Sequence, residues 1–268
     1  MRKKRTPLPL LAAAVFLLFT VWAAETVWPA ESGEKLQTNG KLSVDAGNAS
    51  LGYIRAAGPV SKKKLKLRVT YGGETLTYDL NTDGEFEVFP LQSGSGKYEI
   101  SLYEQKSGKK YAVAGTVKLT AKLTDEEAAF LCPSQYVNFT EESEITALSH
   151  SLLDGCATEK EKVEAVRKYI LSNLGYDYVK SLTITSGTLP DIEGCLTKKM
   201  GICQDLSAVA VAMLRVQGIH ARLVIGYADA AYHAWVTCTA DGEEIFFDPT
   251  AELKAIKSVK EYTVERIY

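Results

Sequence analysis

Three short segments of the sequence contain the residue types of a thiol catalytic triad: Cys203, His233 and Asp248. A cysteine nucleophile needs a base that takes its proton and a third group that orients the base, and histidine and aspartate can fill these two roles. The three side chains need to meet only in space. Such a triad attacks carbonyl carbon atoms and forms an acyl-thioester. Whether the three residues meet depends on the elements that contain them.

The cysteine precedes a predicted helix. Residues 204–217 are apolar on nearly all sides and are followed by Gly218, which predicts a buried helix with a defined end. Cys203 therefore lies at or just before the first turn, where free backbone N–H groups and the positive end of the helix dipole stabilise a thiolate and can bind an oxyanion. Asp205 is interpreted as part of the helix N-terminus and not as a catalytic carboxylate.

The histidine and the aspartate lie on either side of a predicted hairpin turn. An Asp-Gly pair at 241–242 separates two segments of alternating character, which is a strong hairpin signal. The numbers of facing residues then sum to 483, as 241 and 242 do, so that His233 faces Thr250. His233 is therefore a diagonal neighbour of Asp248 on the same face of the sheet. A turn longer or shorter by one residue would place the two on opposite faces.

A metal site is the main competing use of these residues. Its ligands would be Cys195, Cys203, His233 and Cys238. Because side chains alternate along a strand, His233 and Cys238 point to opposite faces, which argues against a shared metal ion. We therefore predict no metal and no other cofactor.

Composition and charge limit the classes of protein. The chain has 268 residues, of which 46% are hydrophobic and 24% charged, so it can form one large or two small globular domains. The formal net charge of -2 shows no basic excess, and we predict no nucleic-acid partner.

The first 24 residues have the pattern of an export segment. Four positive side chains precede an uncharged apolar run, which is typical of a signal peptide or a membrane anchor. Cleavage and retention both stay open, and the membrane is a partner only if the segment is retained. In both cases the rest of the chain is expected outside the cytoplasm, either secreted or anchored. The five cysteines then suggest one free thiol and two disulfides, or buried inert thiols.

The remaining chain is predicted to contain a linker and two domains. Residues 25–40 have the composition of a linker. Residues 41–123 contain about seven short alternating segments separated by glycine-rich turns, which predicts an all-β, immunoglobulin-like sandwich with a packing or spacing role. Residues 124–268 are predicted to form an α+β domain, with helices after Thr140 and after a capping box of Thr158 and Glu161. An irregular polar loop is expected over residues 180–200.

The order of the motifs resembles the transglutaminase-like superfamily over residues 140–255. The matching motifs are Gly201-Ile-Cys203-Gln-Asp205, Gly218-Ile-His-Ala-Arg222, Gly226-Tyr227, His233-Ala-Trp235 and Asp248-Pro-Thr250. The resemblance implies a papain-like fold in which the cysteine-bearing helix packs on an antiparallel sheet. It also implies Cys203 as nucleophile, His233 as base and Asp248 as the orienting group.

Four aromatic residues are candidates for the substrate cleft: Tyr176, Tyr178, Tyr227 and Trp235. Core packing is the alternative role for at least half of them.

These observations lead to the hypothesis of an exported cysteine-dependent acyl-transfer enzyme that acts on peptide or carboxamide bonds. Hydrolysis is expected before cross-linking, because nothing in the sequence specifies a channel for an amine. An outward-facing site suggests peptides, surface proteins or cell-wall peptide as substrates. The alternative is a non-catalytic surface binding or adhesion module with the same fold.

Overall fold

The computed structural model describes residues 26–254 and 259–268. The predicted export segment, residues 1–24, lies outside these ranges. Among the residues described, no helix has both the length and the apolar character needed to cross a bilayer.

Strands dominate the first half of the chain, and helices alternate with strands in the second half. The strands are β1 (Leu36–Asn39), β2 (Leu42–Asp45), β3 (Tyr53–Ala57), β4 (Leu65–Tyr71), β5 (Glu74–Leu80), β6 (Glu87–Pro90), β7 (Gly96–Ser107), β8 (Lys110–Ala121), β9 (Gly175–Tyr176), β10 (Met200–Gly201), β11 (Ala221–Ala228), β12 (Ala231–Ala240), β13 (Glu243–Phe247) and β14 (Tyr262–Ile267). The helices are α1 (Glu144–Leu153), α2 (Glu159–Asn173), α3 (Tyr178–Thr183), α4 (Ile192–Lys198), α5 (Cys203–Arg215) and α6 (Pro249–Leu253).

The first eight strands form two four-stranded antiparallel sheets, in the orders β1-β2-β3-β6 and β5-β4-β7-β8. Their side chains alternate between core and solvent, as Leu65 and Leu67 do on β4 on either side of Lys66. Leu42 of the first sheet and Ile100 of the second belong to the same buried cluster. The predicted β-rich region is confirmed: residues 41–123 contain the seven strands β2 to β8, and β1 lies in the segment predicted as a linker. Its immunoglobulin-like type stays a prediction.

The segment predicted as a linker is packed against both parts of the chain. The Thr26 hydroxyl donates to the backbone oxygen of Val216 at 2.7 Å, and the Trp28 ring meets the edge of Phe139 at 5.8 Å between centroids. The Ser32 backbone N–H donates to Asp45 at 3.0 Å, and strand β1 pairs with β2. The polar composition of residues 25–40 therefore does not make residues 26–39 a free tether, because specific hydrogen bonds and Trp28 hold them.

The helical region follows the sequence patterns in part. Helix α1 begins after Ser143, three residues later than the predicted cap at Thr140, and α2 has the predicted capping box of Thr158 and Glu161. The prediction of an irregular loop over residues 180–200 is wrong, because α3 and α4 occupy much of it. Asp177 and Asp191 cap these two short helices by accepting hydrogen bonds from backbone N–H groups three residues later.

The second half of the chain has the predicted α+β arrangement. Helix α5 packs on a four-stranded antiparallel sheet in the order β13-β12-β11-β14. Nearly every α5 residue is buried, in agreement with its apolar sequence. Ser207 fixes the helix to the sheet by donating to the Ala234 carbonyl at 3.2 Å. At the other end, the buried Arg215 donates to the carbonyls of Ala221 and Cys132.

The hairpin has the register that the sequence predicts. Val236 pairs with Phe247 and Ala240 with Glu243, and both pairs sum to 483. Asp241 and Gly242 form the turn with φ angles of 50° and 76°, the left-handed conformations that a two-residue hairpin of this kind requires. Strand β13 ends at Phe247, so the strand pairing stops one residue before Asp248.

Candidate active site

Cys203 is the first residue of α5, and the chain before it is held by the carboxylate of Asp205. This carboxylate is fully buried. Its Oδ2 atom accepts hydrogen bonds from the Ile202 backbone N–H at 3.0 Å and from Lys180 Nζ at 2.7 Å, and its Oδ1 atom accepts one from the Asp191 backbone N–H at 3.0 Å. Asp205 therefore joins the start of α5 to α3 and α4. It fixes the segment that contains Cys203, a role larger than the local one inferred from sequence.

His233 lies on β12 between the thiol and the aspartate. Its Nε2 atom is 2.7 Å from Asp248 Oδ2, and the Cys203 side chain is near enough to the ring to act on its pKa. Burial by itself would lower the pKa of the imidazole, but the hydrogen bonds and charges of Asp248 and Cys203 outweigh burial and raise the pKa of His233 to about 9. The imidazole is therefore protonated at neutral pH.

Asp248 is the N-cap of helix α6 and not a strand residue. Its Oδ1 atom accepts hydrogen bonds from the backbone N–H groups of Thr250 and Ala251, each at 2.9 Å. Burial acts to raise the pKa of Asp248, but the hydrogen bonds from His233, Ala251 and Tyr262 hold it below its usual value. The side chain that orients His233 is thus itself fixed by the first turn of a helix.

Tyr262 on β14 completes the surroundings of Asp248. Its hydroxyl donates to Asp248 Oδ2 at 2.9 Å, on the oxygen that also faces His233. The ring packs edge-on against Trp235 and Phe246, with centroid distances of 5.0 Å and 4.9 Å. Burial and the neighbouring carboxylate raise the pKa of Tyr262, so it remains a donor. Tyr262 is not among the residues predicted from the sequence, because no local pattern relates β14 to the hairpin.

Cys203 opens into a cleft of about 550 Å³. Two of the predicted aromatic residues, Tyr176 and Tyr227, line it together with Tyr136 and Tyr232. The parallel pairing of β9 with β10 sets Tyr176 opposite Gly201, two residues before Cys203. Burial and the proximity of Cys203 raise the pKa of Tyr176. The cleft is therefore an aromatic groove with the thiol in its wall.

The other two predicted aromatic residues do not line this cleft. Trp235 is 2% exposed and lies under the site, where its ring is nearly parallel to that of His233 at 6.5 Å between centroids. Tyr178 is 63% exposed on α3 and contacts Tyr176 from outside. Trp235 is a core residue, and the ring of Tyr262 packs edge-on against it.

The five cysteines are all free thiols in the structure. Cys132, Cys195 and Cys238 are buried, whereas Cys156 and Cys203 are partly exposed. Across residues 26–254 and 259–268, no group of three or more histidine, cysteine or acidic side chains could hold a metal ion.

A family model described as the transglutaminase-like superfamily matches residues 146–249. The chain contains a transglutaminase-like core. The matched segment begins within α1, includes Cys203, His233 and Asp248, and ends at the first residue of α6. Tyr262 and strand β14 follow the matched segment of the transglutaminase-like core and complete its sheet.

Solved structures of low sequence identity are similar to the chain. One is a candidate cysteine protease from Cytophaga hutchinsonii, with 18% identity over 74% of this chain and 78% of that one and a TM-score of 0.41. Another is a candidate protease from Parabacteroides distasonis, with 20% identity over 72% of this chain and 37% of that one and a TM-score of 0.34. A third is red sea bream transglutaminase, with 14% identity over 79% of this chain and 48% of that one and a TM-score of 0.32. The chain spans less than half of the second and third of these proteins. No curated protein matches the sequence.

Proposed function

We propose that the protein is a cysteine-dependent acyl-transfer enzyme that acts on peptide or carboxamide bonds. The observation that supports this most directly is the continuous contact from Cys203 through His233 to Asp248, beside an aromatic cleft. Each member has the partner that its role requires. The nucleophile contacts the base, and the base contacts a buried and fully hydrogen-bonded carboxylate.

The proposed reaction begins with the protonated His233 beside Cys203, because a neighbouring imidazolium favours the thiolate. The sulfur attacks the carbonyl carbon of the substrate, and the carbonyl electron pair moves to the oxygen, which the backbone N–H at the start of α5 can bind. When the tetrahedral intermediate collapses, the C–N bond breaks and the leaving amine takes the proton from His233. The product of this step is an acyl-thioester on Cys203.

The thioester is resolved by water in our proposal. Neutral His233 takes a proton from the water molecule, which attacks the thioester carbonyl and releases the carboxylic acid and the thiolate. Water reaches the cleft in large excess over any amine, and this supports hydrolysis before cross-linking. Transfer to a lysine amine would use the same steps with the amine in place of water. The export-like pattern of residues 1–24 supports peptides or proteins outside the cytoplasm as substrates.

The first test is selective modification of the thiol. Iodoacetamide at neutral pH should alkylate Cys203 faster than Cys156, the other partly exposed cysteine of the described chain, and peptide mapping by mass spectrometry would measure both rates. In His233→Ala the rate at Cys203 should fall to that of Cys156. Equal rates at Cys203 in the two proteins would contradict the catalytic proposal and favour a non-catalytic binding or adhesion module.

The second test separates hydrolysis from transfer. A mixture of surface peptides is incubated with the protein and with Cys203→Ala, and mass spectrometry scores cleaved amide bonds against new isopeptide bonds. We expect cleavage that depends on Cys203. New isopeptide bonds without cleavage would assign the protein to the cross-linking class instead.

A further inference from the structure

A second cavity of about 540 Å³ adjoins the cleft at Cys203 and contains no member of the triad. Two chain segments line both spaces. Gln135 lines the second cavity and Tyr136 the cleft, while Leu189 lines the second cavity and Thr188 the cleft. Because consecutive Cα atoms are about 3.8 Å apart, only one thickness of chain separates the two spaces at each segment.

The wall between the spaces is connected to the nucleophile. Gln204, the residue after Cys203, donates from Nε2 to the Thr188 carbonyl at 3.0 Å. The segment that leads to Leu189 is therefore fixed relative to the start of α5. An extended substrate chain that lies over Cys203 can cross this wall within a few residues, since each residue spans roughly 3.3 Å.

The chemistry of the second cavity differs from that of the cleft. Its walls include the rings of Trp28 and Phe139 and the side chain of Leu189. Its charged residues are all acidic: Glu87, Glu141 and Glu142. Within the described chain, no lysine or arginine lines it.

The three carboxylates differ in their hydrogen bonds and in their exposure to solvent. Glu87 accepts hydrogen bonds from Gln135 Nε2 at 2.5 Å and from the Asn81 backbone N–H at 2.6 Å. Glu141 and Glu142 are exposed and form no ion pair with any residue described. An apolar wall with an acidic rim fits a long side chain that has a methylene stem and a positive end, because the stem packs on the rings and the charge meets the carboxylates.

We propose that this cavity is a substrate subsite that binds a lysine or arginine side chain of the same chain whose carbonyl Cys203 attacks. The inference rests on the proposed function and names part of its substrate class, a peptide with a basic residue near the reacting bond. The subsite supplies selectivity and binding, and the chemistry stays with the triad.

The test uses peptide electrophiles that label the nucleophile without turnover. A set of peptidyl vinyl sulfones contains lysine at one position after another, with norleucine at the same position as the uncharged partner of similar shape. Intact mass spectrometry measures the second-order rate constant for modification of Cys203. We expect lysine to raise this constant over norleucine by about fivefold to tenfold at one or two positions, and less so at high salt.

Variants connect the preference to the cavity. Glu141→Gln combined with Glu142→Gln should bring the lysine and norleucine rates to within about twofold of each other, since the rim loses its charge. Trp28→Leu should weaken the preference as well. The matched control is Glu99→Gln, which removes an exposed carboxylate of the second sheet outside both cavities and should leave the preference unchanged.

The outcomes separate the subsite from the enzyme. Modification of Cys203 at equal rates by all probes would overturn the subsite and leave the acyl-transfer function standing. A lysine preference that persists in the Glu141 and Glu142 double variant would also overturn it. Failure of every probe to modify Cys203 would overturn the acyl-transfer function and the subsite together.

Discussion

The Nε2 atom of His233 lies 2.7 Å from Oδ2 of Asp248, although His233 belongs to strand β12 and Asp248 caps helix α6. The contact depends on two elements that meet at Asp248, because strand β13 ends at Phe247 and helix α6 begins at Pro249. The hairpin sets the face on which the histidine lies, and the first turn of α6 holds the carboxylate. The orientation of the imidazole is therefore a property of the fold of the whole hairpin and not of the two side chains alone.

The protonation of His233 gives the first prediction. Its pKa of about 9 exceeds the ordinary value of 6.5, so the stability that its charge supplies is present below pH 6.5 and is lost as the pH rises through about 9. In Asp248→Asn the midpoint of the His233 titration should move toward lower pH, because a neutral amide replaces the carboxylate. NMR titration of the three histidine rings, with His150 and His220 as internal controls, measures this. Equal midpoints for His233 in both proteins would contradict the assigned contact.

The hydroxyl of Tyr262 gives the second prediction. Tyr262→Phe leaves the buried Asp248 carboxylate with one hydrogen bond fewer, which should cost about 1 kcal/mol of the free energy of unfolding. The pKa of Asp248 is held below its usual value in the folded protein, so its contribution to stability is lost as the pH falls through that lowered pKa. The variant should therefore unfold in acid at a higher pH than the wild type. Tyr111→Phe, on the outer strand β8, is the control, and the same acid midpoint in all three proteins would argue against the contact.

The ion pair of Lys180 and Asp205 gives the third prediction. Asp205 is fully buried and Lys180 is 26% exposed, so Lys180→Met leaves a buried carboxylate without its counter-charge. We expect the free energy of unfolding, measured by urea denaturation, to fall by about 3 kcal/mol. The control Lys66→Met removes a more exposed ion pair with Asp79 and should cost less than about 1 kcal/mol. Similar losses in the two variants would show that Asp205 does not need Lys180.

The packed N-terminal segment gives the fourth prediction. A protein that begins at residue 36 lacks the contacts of Thr26, Trp28 and Ser32. Its free energy of unfolding should be about 2 to 4 kcal/mol lower than that of a protein that begins at residue 26, because a half-buried aromatic ring and several hydrogen bonds are removed. Thermal unfolding of the two proteins compares them directly. Identical melting temperatures would restore the interpretation of these residues as a free linker.

The sequence predicts those parts of the site that local rules govern. The Asp-Gly turn determines the register of the hairpin, and the apolar run determines helix α5, since both patterns lie within a few residues of the structure they specify. The helices α3 and α4 were not predicted, because they are short and mostly polar. The capping residues Asp177 and Asp191 are the signal in the sequence that could have indicated them. Tyr262 escaped because its contact with Asp248 depends on the pairing of β14 with β11, which no local pattern specifies.

The position of β14 affects when the site can be completed during synthesis of the chain. Strands β11, β12 and β13 form a contiguous meander that can assemble soon after synthesis, whereas β14 joins the far side of β11 only after residues 262–267 exist. The hydroxyl of Tyr262 reaches Asp248 only then. A nascent chain that stops short of Tyr262 lacks this hydrogen bond to Asp248, so the surroundings of Asp248 are complete only after β14 has paired with β11.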